Sequence, residues 1–151
     1  ITTPTNPAFM NRYGTAAANA TGDGTAVTLN GNTEVYDRNS DHNASSGTFT
    51  APVAGLYQFS VGLYLEGLTS SHTAGTLNLG ASNSHGVKTS YFNPWAIRSS
   101  NTVMVWTYDI IFDLAAGDVV TASMAISGGS KVVDLAGSTN ITNYFSGQLI
   151  G

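Results

Sequence analysis

The chain has no cysteine, which removes disulfide staples and thiolate zinc sites and says little about compartment, since many extracellular and virion proteins also do without them. Charge is nearly as scarce. Asp, Glu, Lys and Arg make up 9% of the 151 residues, against about 25% in an ordinary domain. The five basic residues, Arg12, Arg38, Lys88, Arg98 and Lys131, are outnumbered by nine acidic ones, for a net charge of -4. Such a chain cannot build the basic patch that neutralises a run of phosphates, so neither nucleic acid nor an anionic membrane is expected as a partner. No apolar run approaches the roughly eighteen residues of a membrane span, and the opening ITTPTNPAF lacks the basic and apolar regions of a signal peptide. The first residue is Ile1, which fits a processed product, an excised domain or a numbering that starts inside a longer chain. Ser, Thr and Asn supply roughly a third of the residues, so the surface is expected to be polar but hardly charged. The length is that of one domain, enough to bury about two thirds of the unfolded surface without metals or disulfides.

Periodicity sets the fold class. In LYQFSVGLYLEG the residues Tyr57, Phe59, Val61, Leu63 and Leu65 alternate with Gln58, Ser60, Gly62 and Glu66, the period-two pattern of a half-buried strand. VMVWTYDIIFDL repeats it, with Met104, Trp106, Tyr108, Ile110, Phe112 and Leu114 on one face and Thr107, Asp109 and Asp113 on the other. DVVTASMAI is a third copy, carrying Val120, Ala122, Met124 and Ile126 inward, and LAAGD before it is a tight turn in which Gly117 takes positive φ. Shorter strands are expected in PAFMNRY, TAVTL, TEVY, GTFTA, GTLNLGA and NYFSGQLI. Gly, Asn, Ser and Asp clusters separate them, and nowhere does a helical period persist for the ten or so residues a helix needs. The reading is all-β: eight to ten antiparallel strands in two packed sheets. No internal repeat and no dividing linker is visible.

These residues also carry a family resemblance. GTFTAPVAGLYQFSV, with Gly47, Phe49, Pro52, Gly55, Tyr57 and Phe59 in order, resembles the signature at the front of the C1q domain family. PAF at Pro7 to Phe9 resembles its first strand, LAAGDVV the segment before its penultimate strand, and YFSGQLIG its closing strand. TGDGT, NTEVYDRNSDHN and LEGLTSSHTAG are similar to C1q-like domains of phages and bacteria, and these 151 residues contain no collagen-like Gly-x-y run such as the stalk of the animal proteins has. The resemblance implies a ten-stranded C1q/TNF-like jelly roll over residues 1–151, with 1–6 as a short N-terminal arm, that assembles as a homotrimer and presents loops to a partner. Tyr64 and Tyr144 fall on outward faces of their strands and, with Gln148, are the expected trimer interface, although an outward Tyr also tolerates half-exposure on its own.

Candidate chemistry is sparse. There is no Gly-x-Ser-x-Gly elbow and no His-x-x-x-His pair, and the only glutamates, Glu34 and Glu66, lie at different strand edges, so no enzyme activity is expected. His42, His72 and His85 sit in Ser/Asn-rich segments and are expected as solvated loop residues. Asp37-x-Asn39-x-Asp41-x-Asn43 looks like the first half of a calcium loop, but the sixth and twelfth positions hold His42 and Thr48 instead of the Gly and Glu that such a loop requires. Asp37, Asn39 and Asp41 are therefore either self-capping turn residues or a calcium site, calcium being the only cofactor in question. SYFNPWAIRSS gathers Tyr91, Phe92, Trp95 and Arg98, residue types that stack on sugars and anchor protein interfaces, unless Phe92 and Trp95 instead plug the end of the sandwich. Two functions fit: a structural or adhesive phage virion component, either a capsid decoration protein or a fibre head, bound to capsid or tail proteins at the virion surface; or a secreted, extracellular bacterial module that binds a glycan or a protein receptor.

Overall fold

The computed structural model describes residues 6–82, 85–99, 101–140 and 143–151. Of the expected arm at 1–6, all but Asn6 lies outside the described residues. The strands in chain order are β1 (Ala8–Arg12), β2 (Ala17–Thr21), β3 (Ala26–Thr28), β4 (Thr33–Asp37), β5 (His42–Asn43), β6 (Thr48–Thr50), β7 (Gly55–Glu66), β8 (Ala74–Ala81) and β9 (Val87–Phe92). One helical turn, α1 (Pro94–Ile97), precedes β10 (Met104–Leu114), β11 (Val119–Ser127), β12 (Val133–Leu135) and β13 (Tyr144–Leu149). They form two antiparallel sheets. The larger runs β2-β12-β7-β13-β1-β4 with β10 on the other side of β7, and the smaller runs β5-β6-β11-β8-β9 with β3 beside β11.

The expected alternation is what closes the sandwich. Tyr57, Phe59, Val61, Leu63 and Leu65 of β7 are all fully buried, as are Val120, Ala122, Met124 and Ile126 of β11, and the two rows, one from each sheet, belong to a single core. Phe49 of β6 carries the smaller sheet into the larger, its ring 5.1 Å from Phe9 and 5.4 Å, edge on, from Phe59. Phe145 of β13 meets Phe9 edge on at 5.0 Å. The turn into β11 also forms as expected: Gly117 has φ +89° and donates to the Ala51 carbonyl, while Ala115 N–H donates to Asp118 Oδ2.

The structure has more strands than the eight to ten expected. β2, β5 and β12 are too short for any alternation to stand out in the sequence, and β9 occupies the front of a stretch that reads as loop. α1 is a single turn started by Pro94 and capped by Asn93, whose side-chain oxygen accepts from Ala96 N–H at 3.1 Å.

Two histidines depart from expectation: His42 is 6% exposed and His72 is 0% exposed, so neither is a solvated loop residue. β5 turns His42 inward opposite Phe49, and its ring stacks on Phe9 at 4.3 Å. His72 ties two loops together, with Nδ1 accepting from Thr69 N–H at 2.8 Å and Nε2 donating to the Ser130 carbonyl at 2.9 Å.

Candidate functional site

Side chains alternate across a strand, so the residues of β7 that are not in the core all point outward from the larger sheet. Register brings their neighbours into rows. Tyr144 lies opposite Gly62, Gln148 opposite Gln58, Val105 opposite Tyr64 and Ile111 opposite Gln58. A further row runs from Tyr36 through Met10 and Ser146 to Ser60. Tyr64, Tyr144 and Gln148 thus share one face, joined by Tyr36, Val105 and Ile111, the last two 54% exposed. The apolar members sit apart, Tyr36 on the edge strand β4 and Val105 and Ile111 on the opposite edge strand β10, with Gln58, Ser60, Ser146 and Gln148 between them.

Gly62 makes room on this face for Tyr144. A Cβ on it would stand 2.1 Å from Cε1 of Tyr144, so the tyrosine ring lies directly over the glycine. Burial raises the Tyr144 hydroxyl above the ordinary phenol range, and the nearby Asp109 carboxylate adds to this. Beneath Tyr64, the wholly buried Asn143 acts as a piece of backbone. Its Oδ1 accepts from Tyr64 N–H at 2.7 Å, and its Nδ2 donates to the carbonyls of Tyr64 and Ala136 at 2.8 and 2.7 Å. Neither Gly62 nor Asn143 stands out in the sequence, because the partners that give them their roles are 82 and 79 positions away in the chain.

The aromatic quartet separates. Phe92 turns inward and stacks on Trp106 at 5.4 Å, and Trp95 packs against the core, so both close the end of the sandwich. Arg98 lies over the Trp95 ring, 3.6 Å from its centroid, and donates to the Trp95 carbonyl. Tyr91 alone faces outward from the smaller sheet, 79% exposed.

In the Asp37 loop the carboxylate is occupied by its own chain, its two oxygens accepting from Asp41 N–H at 3.1 Å and His42 N–H at 3.0 Å. Desolvation raises the Asp41 carboxyl above its ordinary value, with Asn39 opposing by a hydrogen bond and Asp37 reinforcing by its charge. Among the described residues no group of three or more His, Cys, Asp or Glu is arranged to hold a metal ion. Next to the loop, Asn11 Nδ2 donates to the Asn30 carbonyl at 2.9 Å and lies 3.2 Å from His42 Nδ1. The Asn30 contact fixes the amide orientation, so His42 Nδ1 accepts and its proton sits on Nε2, which is buried without a partner. Burial pushes the His42 pKa down, with Asp37 opposing.

The C1q domain family model matches residues 8–150. No curated protein matches the chain in sequence. Among solved structures, the globular domain of zebrafish complement 1qA protein is similar at 21% identity and a TM-score of 0.63, covering 96% of this chain and 98% of that one. Murine APRIL at pH 8.5 is similar at 12% identity and a TM-score of 0.61, covering 97% of this chain and all of that one.

Proposed function

The chain belongs to the C1q domain family, and on that premise we propose that it is a non-enzymatic homotrimer held together by the outer face of its larger sheet. C1q/TNF-like domains are typically non-enzymatic binding and oligomeric modules. The observation that carries the proposal is the shared face of Tyr64, Tyr144 and Gln148, extended by Tyr36, Val105 and Ile111. A face of tyrosines and aliphatic side chains interleaved with Gln58, Ser60, Ser146 and Gln148, on a sparsely charged chain, suits a symmetric self-association. Joining Tyr64→Asp with Gln148→Asp places two carboxylates in the contact and is expected to release monomers on gel filtration. An intact oligomer in that variant removes the face from the interface.

In its biological setting the trimer is a virion component, a capsid decoration protein or a fibre head at the virion surface. The phage-like segments TGDGT and NTEVYDRNSDHN and the scarcity of charge support this reading. Mass spectrometry of purified particles is the test, and the protein should copurify with capsid or tail proteins. A second reading, favoured by the exposed Tyr91, is a secreted bacterial module that binds a glycan or a protein receptor. It is supported if the protein is recovered outside the cells and free of particles.

A further inference from the structure

We infer that the outer face of the smaller sheet carries a binding site for neutral saccharide, centred on Tyr91; this deepens the glycan reading above and rests on it. The register places Tyr91 of β9 opposite Thr76 of β8, Thr76 opposite Ala125 of β11, and Ala125 opposite Ala26 of β3. The next row pairs Ala74 with Ser127. Small side chains therefore form a floor beside a phenol ring that is 79% exposed. Between them lies an open depression of about 560 Å³, whose lining adds the hydroxyl of Thr73 and the amide of Asn93. That volume falls within the roughly 300–1,000 Å³ of small-molecule sites.

The chemistry of the surround selects the ligand class. The outward positions of β3, β6, β8, β9 and β11 are Thr, Ser, Ala, Asn, Gly, Val and Tyr, with no charged side chain among them. No lining residue is charged, so a phosphate or a carboxylate finds no cation in the lining; Asp23, which adjoins the lining residue Gly24, and Lys131 close to it are the charged side chains next to the depression. A neutral sugar finds both of its requirements: an aromatic ring for its C–H face, and hydroxyl and amide groups that exchange hydrogen bonds with its own hydroxyls. Thr89 Oγ1 donates to Asn78 Oδ1 at 2.7 Å in the adjacent row, which fixes the orientation of that pair beside the depression. The site is on the opposite sheet from the proposed trimer contact and stays open when that contact forms.

The test is binding of the fluorescently labelled protein to an array of neutral and acidic oligosaccharides, followed by titration of the strongest neutral oligosaccharide into 15N-labelled protein. Amide shifts are expected to centre on Tyr91, Thr76 and Ser127. Tyr91→Ala should weaken binding about tenfold or more, as truncation of an aromatic anchor does. Ala125→Gln, which fills the floor from a different strand, should do the same with an unchanged melting temperature. No binding across the array, binding to acidic glycans alone, or neutral-glycan binding indifferent to both substitutions overturns the site. The mass of the same samples is read separately: a monomer that binds neutral glycan refutes the assembly and keeps the site, and a trimer that binds none does the reverse.

Discussion

Single residues decide two properties of this molecule that no pattern in the chain announces. Asn143 satisfies three backbone groups at once, on Tyr64 and Ala136, and is itself wholly buried. Asn143→Ala leaves those groups unpaired and is expected to destabilise the fold by about 2–3 kcal/mol, read from a denaturant titration. An unchanged midpoint would show that the strands pair without it. His42 gives the second prediction. Its folded pKa lies below the ordinary 6.5 because of burial, so above that value the ring is neutral both folded and unfolded. As pH drops below about 6.5 the unfolded chain takes up a proton that the folded one resists, and stability falls until the folded pKa is passed. Asp41 works in the opposite sense, because its raised carboxyl holds a proton in the folded state at pH values where the unfolded one, near 3.8, has released it. Its gain on acidification is confined to the carboxylate range. His42→Phe keeps the stack on Phe9, removes the unpartnered Nε2 and should flatten the acid loss between neutrality and pH 5 in thermal melts. If the loss persists in full, another group carries it. Both residues escaped the sequence reading for one reason: a lone polar side chain in a Ser/Asn-rich stretch looks solvated until the partner strand that buries it is in place.

Elements were legible in proportion to their length. β7, β10 and β11 run for 12, 11 and 9 residues, long enough for alternation to show, and their inward rows are the ones the sequence marks. β2 and β12 become strands because they pair with each other and β12 docks on the end of β7; nothing within AANAT or VDL requires it. The Asp37 loop shows the same dependence on context. Alternate oxygen-bearing side chains suit either an ion or a turn, and only coordinates reveal that Asp37 is hydrogen-bonded to the amides of Asp41 and His42. Asp37→Ala should therefore destabilise the domain by about 1–2 kcal/mol, the usual value of a lost capping interaction. Millimolar calcium should leave the melting temperature of the native protein unchanged, since an ion that binds only the folded state must raise it. A calcium-dependent rise abolished by Asp37→Ala would instead make the loop a metal site.

At the scale of the whole molecule, the two outward faces differ in chemistry. One displays Tyr36, Tyr64, Tyr144, Val105 and Ile111 among Gln58, Ser60, Ser146 and Gln148; the other displays hydroxyls, amides and small apolar groups around Tyr91. The division follows from what each strand places outward, and it allows one sheet to face copies of the chain while the other faces a ligand. The sequence pointed to the first face through the position of its tyrosines. It grouped Tyr91 with Phe92, Trp95 and Arg98 by proximity alone, because the alternation that turns Phe92 inward and Tyr91 outward belongs to β9, whose VKTSYF shows no apolar period. The most direct test of the central claim is the solution mass by light scattering. Three times the 15.6 kDa of one chain is the predicted result, falling to a single chain when Tyr64→Asp and Gln148→Asp are combined. A wild-type mass of one chain at micromolar concentration, or a trimer that survives both substitutions, would contradict it.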